Sequence, residues 1–318
     1  MTREWLERHQ VAIYFASVTC AATVGLLAPA STWGLDALVT PAIAILMYAM
    51  FLQIPFLSLR EAFGNRRFLG ALLLANFVLI PLLVWVLTLP IAAHEALVIG
   101  ALLVLLTPCI DYVVVFTHLG KGDARLILSA TPILLLLQFM LLPVYLSLML
   151  GSADTLSIPF APFIEAFLFL IAVPMILAVI TEALTARSRA VQSWRDGWLW
   201  MPVPAMAAVL VLVIASQIAG ILQDATTLMT VLPIYAAFVV LAPVVGALAA
   251  RTFRLPATAT RAVAFSSATR NSLVVLPLAL ALPPELRTLA AATVIAQTLV
   301  ELIAELVYLR AIPALIRS

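Results

Sequence analysis

Leu105-Leu106-Thr107-Pro108-Cys109-Ile110-Asp111 interrupts an apolar run that otherwise extends from Glu95 to Leu119. Proline removes a helical N–H donor and clashes with the preceding turn. A carboxylate in the middle of a bilayer-length segment costs about 2.5–3.5 kcal/mol on insertion scales. A second interruption, Ser266-Ser267-Ala268-Thr269-Arg270-Asn271-Ser272, lies midway along the run from Arg261 to Leu282 and carries the one basic residue placed deep in a span, Arg270. Two broken helices at matching depths predict a transport site, where half-helix ends and unwound backbone meet the solute.

The composition sets the class. The 318 residues are 65% hydrophobic and 10% charged, with a mean hydropathy of +1.18, which excludes a soluble domain and predicts an all-α polytopic membrane protein. A net charge of +2, with no basic cluster interleaved with aromatics, gives no reason to expect a nucleic-acid partner. The two cysteines, Cys20 and Cys109, sit in different apolar runs, so neither a disulfide framework nor a multi-cysteine metal site is expected. Cys20 is read as a packing residue, and no cofactor is expected. His9, His94 and His118 lie at or outside span ends, and neither His-Glu-x-x-His nor Gly-x-Ser-x-Gly occurs, so a membrane-embedded enzyme is not the expected class. A sensor would not require two opposed broken helices.

Apolar segments of bilayer length run from Val11 to Leu27, Leu38 to Leu59, Phe68 to Leu89, Glu95 to Leu119, Leu126 to Leu150, Phe160 to Ala183, Trp198 to Leu222, Leu228 to Ala250, Arg261 to Leu282 and Leu286 to Ile312. They predict ten spans in a single transmembrane transporter domain, 1–318, joined by short turns such as Gly64-Asn65 and Gly120-Lys121-Gly122-Asp123. With the N-terminus inside, every one of the 17 basic residues except Arg270 and Arg287 falls on the inner side, which predicts cytoplasmic termini and an inner (plasma) membrane location. Ala28-Pro29-Ala30 faintly resembles a signal-peptidase site, but cleavage there would remove a span and is not expected. Five spans per half, an odd number, predict an inverted repeat, with the first copy over about 11–150 and the second over about 160–312. Its fourth member in each half is the interrupted one.

Thr107-Pro108-Cys109, followed by Val113-Val114-Val115-Phe116 and Leu119-Gly120-Lys121-Gly122-Asp123, resembles the fourth-span signature of the arsenite permease family, the arsenical-resistance efflux carriers of the bile acid/sodium symporter superfamily. Leu299-Val300-Glu301 resembles the family's last-span glutamate motif, and Arg270-Asn271-Ser272 resembles the superfamily's Gln-Asn-Ser in the ninth span. The resemblance implies crossed discontinuous helices four and nine in a core domain, a panel domain of spans one, two, six and seven, and alternating access between them. It also implies arsenite transport through Cys109, with Glu301 as the last-span acid. This sequence departs from the pattern at Asp111, where the permeases carry small or uncharged residues, and at Arg270, where the superfamily carries glutamine. Ser266, Val113 and Val114 replace the oxygen-rich pattern of the sodium-coupled branch, so no sodium site is expected and protons become the coupling ion.

The candidate site follows from these residues. Cys109 supplies a soft sulfur ligand for trivalent arsenic, while Thr107, Thr269, Asn271 and Ser272 supply polar groups around it. Asp111 and Arg270 occupy corresponding breaks and are expected to meet where the helices cross, either as a structural pair or with Arg270 anchoring a small organic anion. Glu301 is expected to carry the exchanged proton. Glu305, four residues on, is read as snorkelling or pairing near the inner interface. Asn76, Gln138, Gln217 and Gln297 are expected to form interhelical hydrogen bonds. Arsenite export is the leading function and organic-anion transport the alternative; the sequence leaves oligomeric state open.

Overall fold

The computed structural model describes residues 3–28, 32, 34–53, 64–110, 112–150, 165, 168–223 and 225–317. Among them the secondary structure is helical throughout, with no β-strand. The helices are α1 (Arg3–Leu27), α2 (Asp36–Phe51), α3 (Arg66–Leu74), α4 (Ile80–Thr88), α5 (Glu95–Leu105), α6 (Tyr112–Leu119), α7 (Ala124–Leu150) and α8 (Val173–Thr185). They continue as α9 (Arg189–Trp198), α10 (Pro202–Gln223), α11 (Ala225–Met229), α12 (Leu232–Thr252), α13 (Ala257–Ala268), α14 (Ser272–Leu280) and α15 (Pro284–Leu315). Helix covers part of each of the ten apolar segments. Among the described residues, helical stretches long and apolar enough to cross a bilayer number five, or six if α9 and α10, bent by 49° at their junction, form one span.

The chain divides into two compact units. One comprises Met1–Gln53 and Pro159–Ala225, the segments that the resemblance assigns to a panel. Within it α1 and α2 pack on α10, and α8 packs on α2. Tyr48 ties this unit together: its hydroxyl lies 2.9 Å from Thr181 Oγ1 and accepts the Trp194 indole N–H at 3.1 Å. Residues 189–198, which begin between two of the expected spans and end at Trp198, form the short amphipathic helix α9, started by Ser188, whose hydroxyl accepts the Val191 N–H. Trp194 remains exposed, as suits a helix lying at a membrane interface. Cys20 is exposed on α1, so it is not the packing residue expected from its apolar neighbours.

The other unit, Ile54–Ile158 and Thr226–Ser318, holds both interruptions. Its central element is α15: 67% of its apolar stretch is buried, against 33–39% for the spans 66–91, 124–150 and 225–252. Helices α5, α14, α12, α13 and α6 all pack against it. Contact is close because small residues allow it. A Cβ on Gly100 of α5 would lie 2.7 Å from Ala290 O and 2.8 Å from Thr293 Cβ of α15. A Cβ on Gly246 of α12 would lie 2.5 Å from Ser267 Oγ of α13.

Local chemistry sets the element boundaries. Asn65 starts α3 by accepting the Phe68 N–H at 3.1 Å, and Asp123 starts α7 by accepting the Leu126 N–H at 3.2 Å. Between α6 and α7 the chain turns through Lys121 at φ 57°, with the Arg261 guanidinium donating to Lys121 O at 3.0 Å. The expected Gly120–Asp123 turn is therefore present. Between α3 and α4, Ala75–Leu79 winds as a π-helical turn, and Phe77 O accepts the Tyr145 hydroxyl at 2.6 Å.

Candidate functional site

The two interruptions are joined by backbone. α5 ends at Leu105 and α6 begins at Tyr112; α13 ends at Ala268 and α14 begins at Ser272. Between them, Pro108 and Arg270 form an isolated antiparallel bridge. Cys109 N–H donates to Thr269 O at 3.0 Å, and Asn271 N–H donates to Thr107 O at 2.8 Å. Groups that each helix leaves unpaired at its break are thus satisfied by the other, as an apolar medium requires.

Seven of the eight candidate residues fall in this joint or on α15 beside it: Thr107, Cys109, Thr269, Arg270, Asn271, Ser272 and Glu301, none more than 2% exposed. The eighth, Asp111, lies outside the described residues, and with it the expected Asp111–Arg270 contact. Thr107 spends its hydroxyl on its own helix, with Leu103 O at 2.9 Å and Val104 O at 3.1 Å. Asn271 Oδ1 caps α14 by accepting the Val274 N–H at 3.4 Å. Three further donors, Asn271 Nδ2, Ser272 Oγ and Arg270 Nε, are buried without a hydrogen-bond partner among the described residues.

The Arg270 guanidinium is held by oxygen atoms. Nη2 donates to Asn76 Oδ1 at 2.8 Å and to Ser266 O at 2.6 Å, while Nη1 reaches Leu105 O at 3.4 Å. Its central carbon stands 5.6 Å from the centre of the Phe238 ring. Asn76 comes from the π-helical turn and is itself fixed by donating to Ser266 Oγ at 3.1 Å. Three acceptors and an aromatic face compensate a fully buried charge that would otherwise be very costly.

Glu301 holds the other side of the joint. One carboxylate oxygen accepts the Tyr112 hydroxyl at 2.6 Å, and the second accepts the backbone N–H of Arg270 at 2.9 Å together with the Gln297 side-chain amide. The same Tyr112 hydroxyl lies 3.2 Å from Arg270 O. The Thr269–Arg270 peptide group is therefore gripped at both ends, its oxygen by Cys109 and its N–H by Glu301.

Several residues here differ from the sequence reading. Glu305 does not snorkel: it is fully buried, with one oxygen beside Thr269 Oγ1 and the other without a partner among the described residues. A separation of four residues, about one turn, puts it beside Glu301, on the face of α15 that meets the joint. Gln138 is buried with neither side-chain atom hydrogen-bonded, and Gln297 bonds Glu301 within its own helix. Neither forms the expected interhelical bond, while Asn76 does; the Gln217 side chain lies outside the described set. Tyr112 was not singled out, because an aromatic beside a break gives no periodic signal. A separate groove of about 440 Å³ between α12 and α15 is apolar apart from Arg251 and Tyr308, and no described candidate lines it.

Broken helices exchanging backbone hydrogen bonds around buried charged groups, in a chain of bilayer-spanning helices, define a membrane carrier. The family model for the sodium bile acid symporter family matches residues 40–223. The chain belongs to that family and is a secondary transporter of the bile acid/sodium symporter type. The matched range includes the first break but ends before Ser266, so the roles of the second break and of α15 rest on their geometry. No curated protein matches the chain.

Proposed function

We propose that this protein is a proton-linked, sodium-independent exporter of arsenite, with Cys109 contacting the solute and Glu301 carrying the exchanged proton. The observation that carries the reading is the shared peptide group: Cys109 N–H bonds its oxygen at 3.0 Å and Glu301 accepts its N–H at 2.9 Å. A change of charge on Glu301 alters a hydrogen bond one peptide away from the cysteine, which links proton binding to the solute contact. Trivalent arsenic favours soft thiolate ligands, and a single thiol with surrounding hydroxyl and amide groups holds it weakly enough for release. The partners of Glu301 are a phenol, a carboxamide and a backbone N–H, a set that a protonated or ionised carboxyl can both use.

Sodium independence follows from Arg270, whose guanidinium donates to Asn76 Oδ1, Ser266 O and Leu105 O. A hard cation needs such oxygens as its own ligands. In this reading ten spans form two inverted five-helix repeats with cytoplasmic termini. A second reading, a carrier of small organic anions anchored by Arg270, is favoured by the three unpartnered donors Arg270 Nε, Asn271 Nδ2 and Ser272 Oγ.

Everted vesicles under an imposed pH gradient test the proposal. Wild-type vesicles accumulate arsenite, and Cys109→Ala and Glu301→Gln vesicles do not. Absence of wild-type accumulation, or full activity in Cys109→Ala, overturns it; uptake of a carboxylate instead establishes the second reading.

A further inference from the structure

We infer that Glu305 is a second proton-binding site, protonated in this conformation and donating its proton to the Thr269 hydroxyl. Its role in transport rests on the proton-linked reading above, but its existence rests on hydrogen-bond counting alone. Thr269 Oγ1 lies 2.7 Å from Phe265 O and 2.5 Å from one Glu305 oxygen. A hydroxyl has one proton to give. A carbonyl oxygen and an ionised carboxylate are both acceptors only; Thr107 divides one proton between two carbonyls at 2.9 and 3.1 Å, but the Thr269 contacts are tighter, at 2.7 and 2.5 Å, and a second proton satisfies both. The carboxyl supplies it: Thr269 donates to Phe265 O, and Glu305 donates to Thr269.

The surroundings agree. Glu305 is fully buried, and its second oxygen has no hydrogen-bond partner among the described residues, an arrangement far costlier for a charged carboxylate than for a neutral acid. The titratable groups acting on it from its own helix are Glu301, one turn away, and Tyr308. The elements packed against α15 bring Cys109 and Arg270 at the joint, Tyr112 and His118 on α6, Glu95 on α5, Tyr235 and Arg251 on α12, and Arg261 on α13. The Arg270 guanidinium engages Asn76, Ser266 O and Leu105 O, Tyr112 engages Glu301, and Arg261 engages Ile316 O. No ion pair to Glu305 forms among the described residues.

α15 thus holds the second break with two carboxyl groups one turn apart, Glu301 on the Arg270 N–H and Glu305 on the Thr269 hydroxyl. Losing the Glu305 proton to water leaves two carboxylates side by side and Thr269 with one proton for two acceptors. The grip on the break then weakens, which makes the proton a latch on the joint.

Infrared difference spectroscopy of the full-length protein in lipid nanodiscs reads this without any solute, so its outcome is separate from that of the arsenite assay. A protonated carboxylic acid band is expected at neutral pH that shifts on isotope labelling of glutamate, is lost in Glu305→Gln and persists in Glu301→Gln. If Glu305→Gln does not fold, Thr269→Val provides the second reading, because removing the acceptor moves the band. No glutamate band in the wild type, a band lost in Glu301→Gln but kept in Glu305→Gln, or a band unmoved by Thr269→Val overturns the inference.

Discussion

Cys109 and Glu301 hold opposite ends of the Thr269–Arg270 peptide group, at 3.0 and 2.9 Å. Both contacts use atoms that a side-chain substitution at 269 or 270 leaves in place. The Tyr112 hydroxyl reinforces the arrangement by reaching both Glu301 and the carbonyl of Arg270.

Tyr112→Phe removes one hydroxyl and keeps the ring that packs edge-on against Phe116. A hydrogen bond to a charged acceptor contributes about 1.5–3 kcal/mol, and a loss of that size is expected. Thermal unfolding of the purified protein measures it. An unchanged midpoint means that the phenol does not support Glu301.

Asn76→Ala takes away the 2.8 Å acceptor of Arg270 Nη2 and leaves a buried charge under-coordinated. Destabilisation of about 1.5–3 kcal/mol is expected. Val78→Ala, two residues on and 48% exposed, should stay within about 0.5 kcal/mol. Equal effects at the two positions would show that helix disruption, not the loss of the acceptor, sets the cost.

Uptake measured with the proton gradient clamped should be the same in sodium and in choline media. The Arg270 guanidinium already uses the oxygens of Asn76, Ser266 and Leu105. Saturable stimulation by sodium would contradict this assignment.

Gly100→Ala should cost about 1–3 kcal/mol by overpacking, since the new Cβ meets Ala290 O at 2.7 Å and Thr293 Cβ at 2.8 Å. Gly197→Ala, where nothing lies within 4 Å, should be neutral or stabilising by up to about 1 kcal/mol through helix propensity. Thermal unfolding of the two variants side by side checks the contrast, and it fails if both behave alike.

Both breaks were legible in the sequence because proline, a basic residue and runs of hydroxyl groups are conspicuous in apolar segments. Their joining through backbone was not, since Pro108 and Arg270 lie far apart in the chain and main-chain pairing leaves no residue signature. Glu305 was misread for a different reason. Its distance from Arg310 suggested the interface, but burial depends on which face of α15 meets the joint, and the hydrophobic pattern of a helix apolar all round does not reveal that face. Cys20 failed in the same way: an apolar segment has lipid-facing as well as packed positions, and composition alone does not separate them.

The π-helical turn at Ala75–Leu79 sets the phase of everything that follows it in its helix. One residue more than an α-turn advances the downstream face by about 100° around the axis. Point substitutions within 75–79 leave that offset intact, whereas deleting one residue after Asn76 cancels it and rotates Ile80, Pro81 and Val84 out of their buried positions. Chain length over these five residues therefore governs whether Asn76 and the buried face beyond it can be satisfied together. The arginine clasp is encoded by a count of residues as well as by their identity.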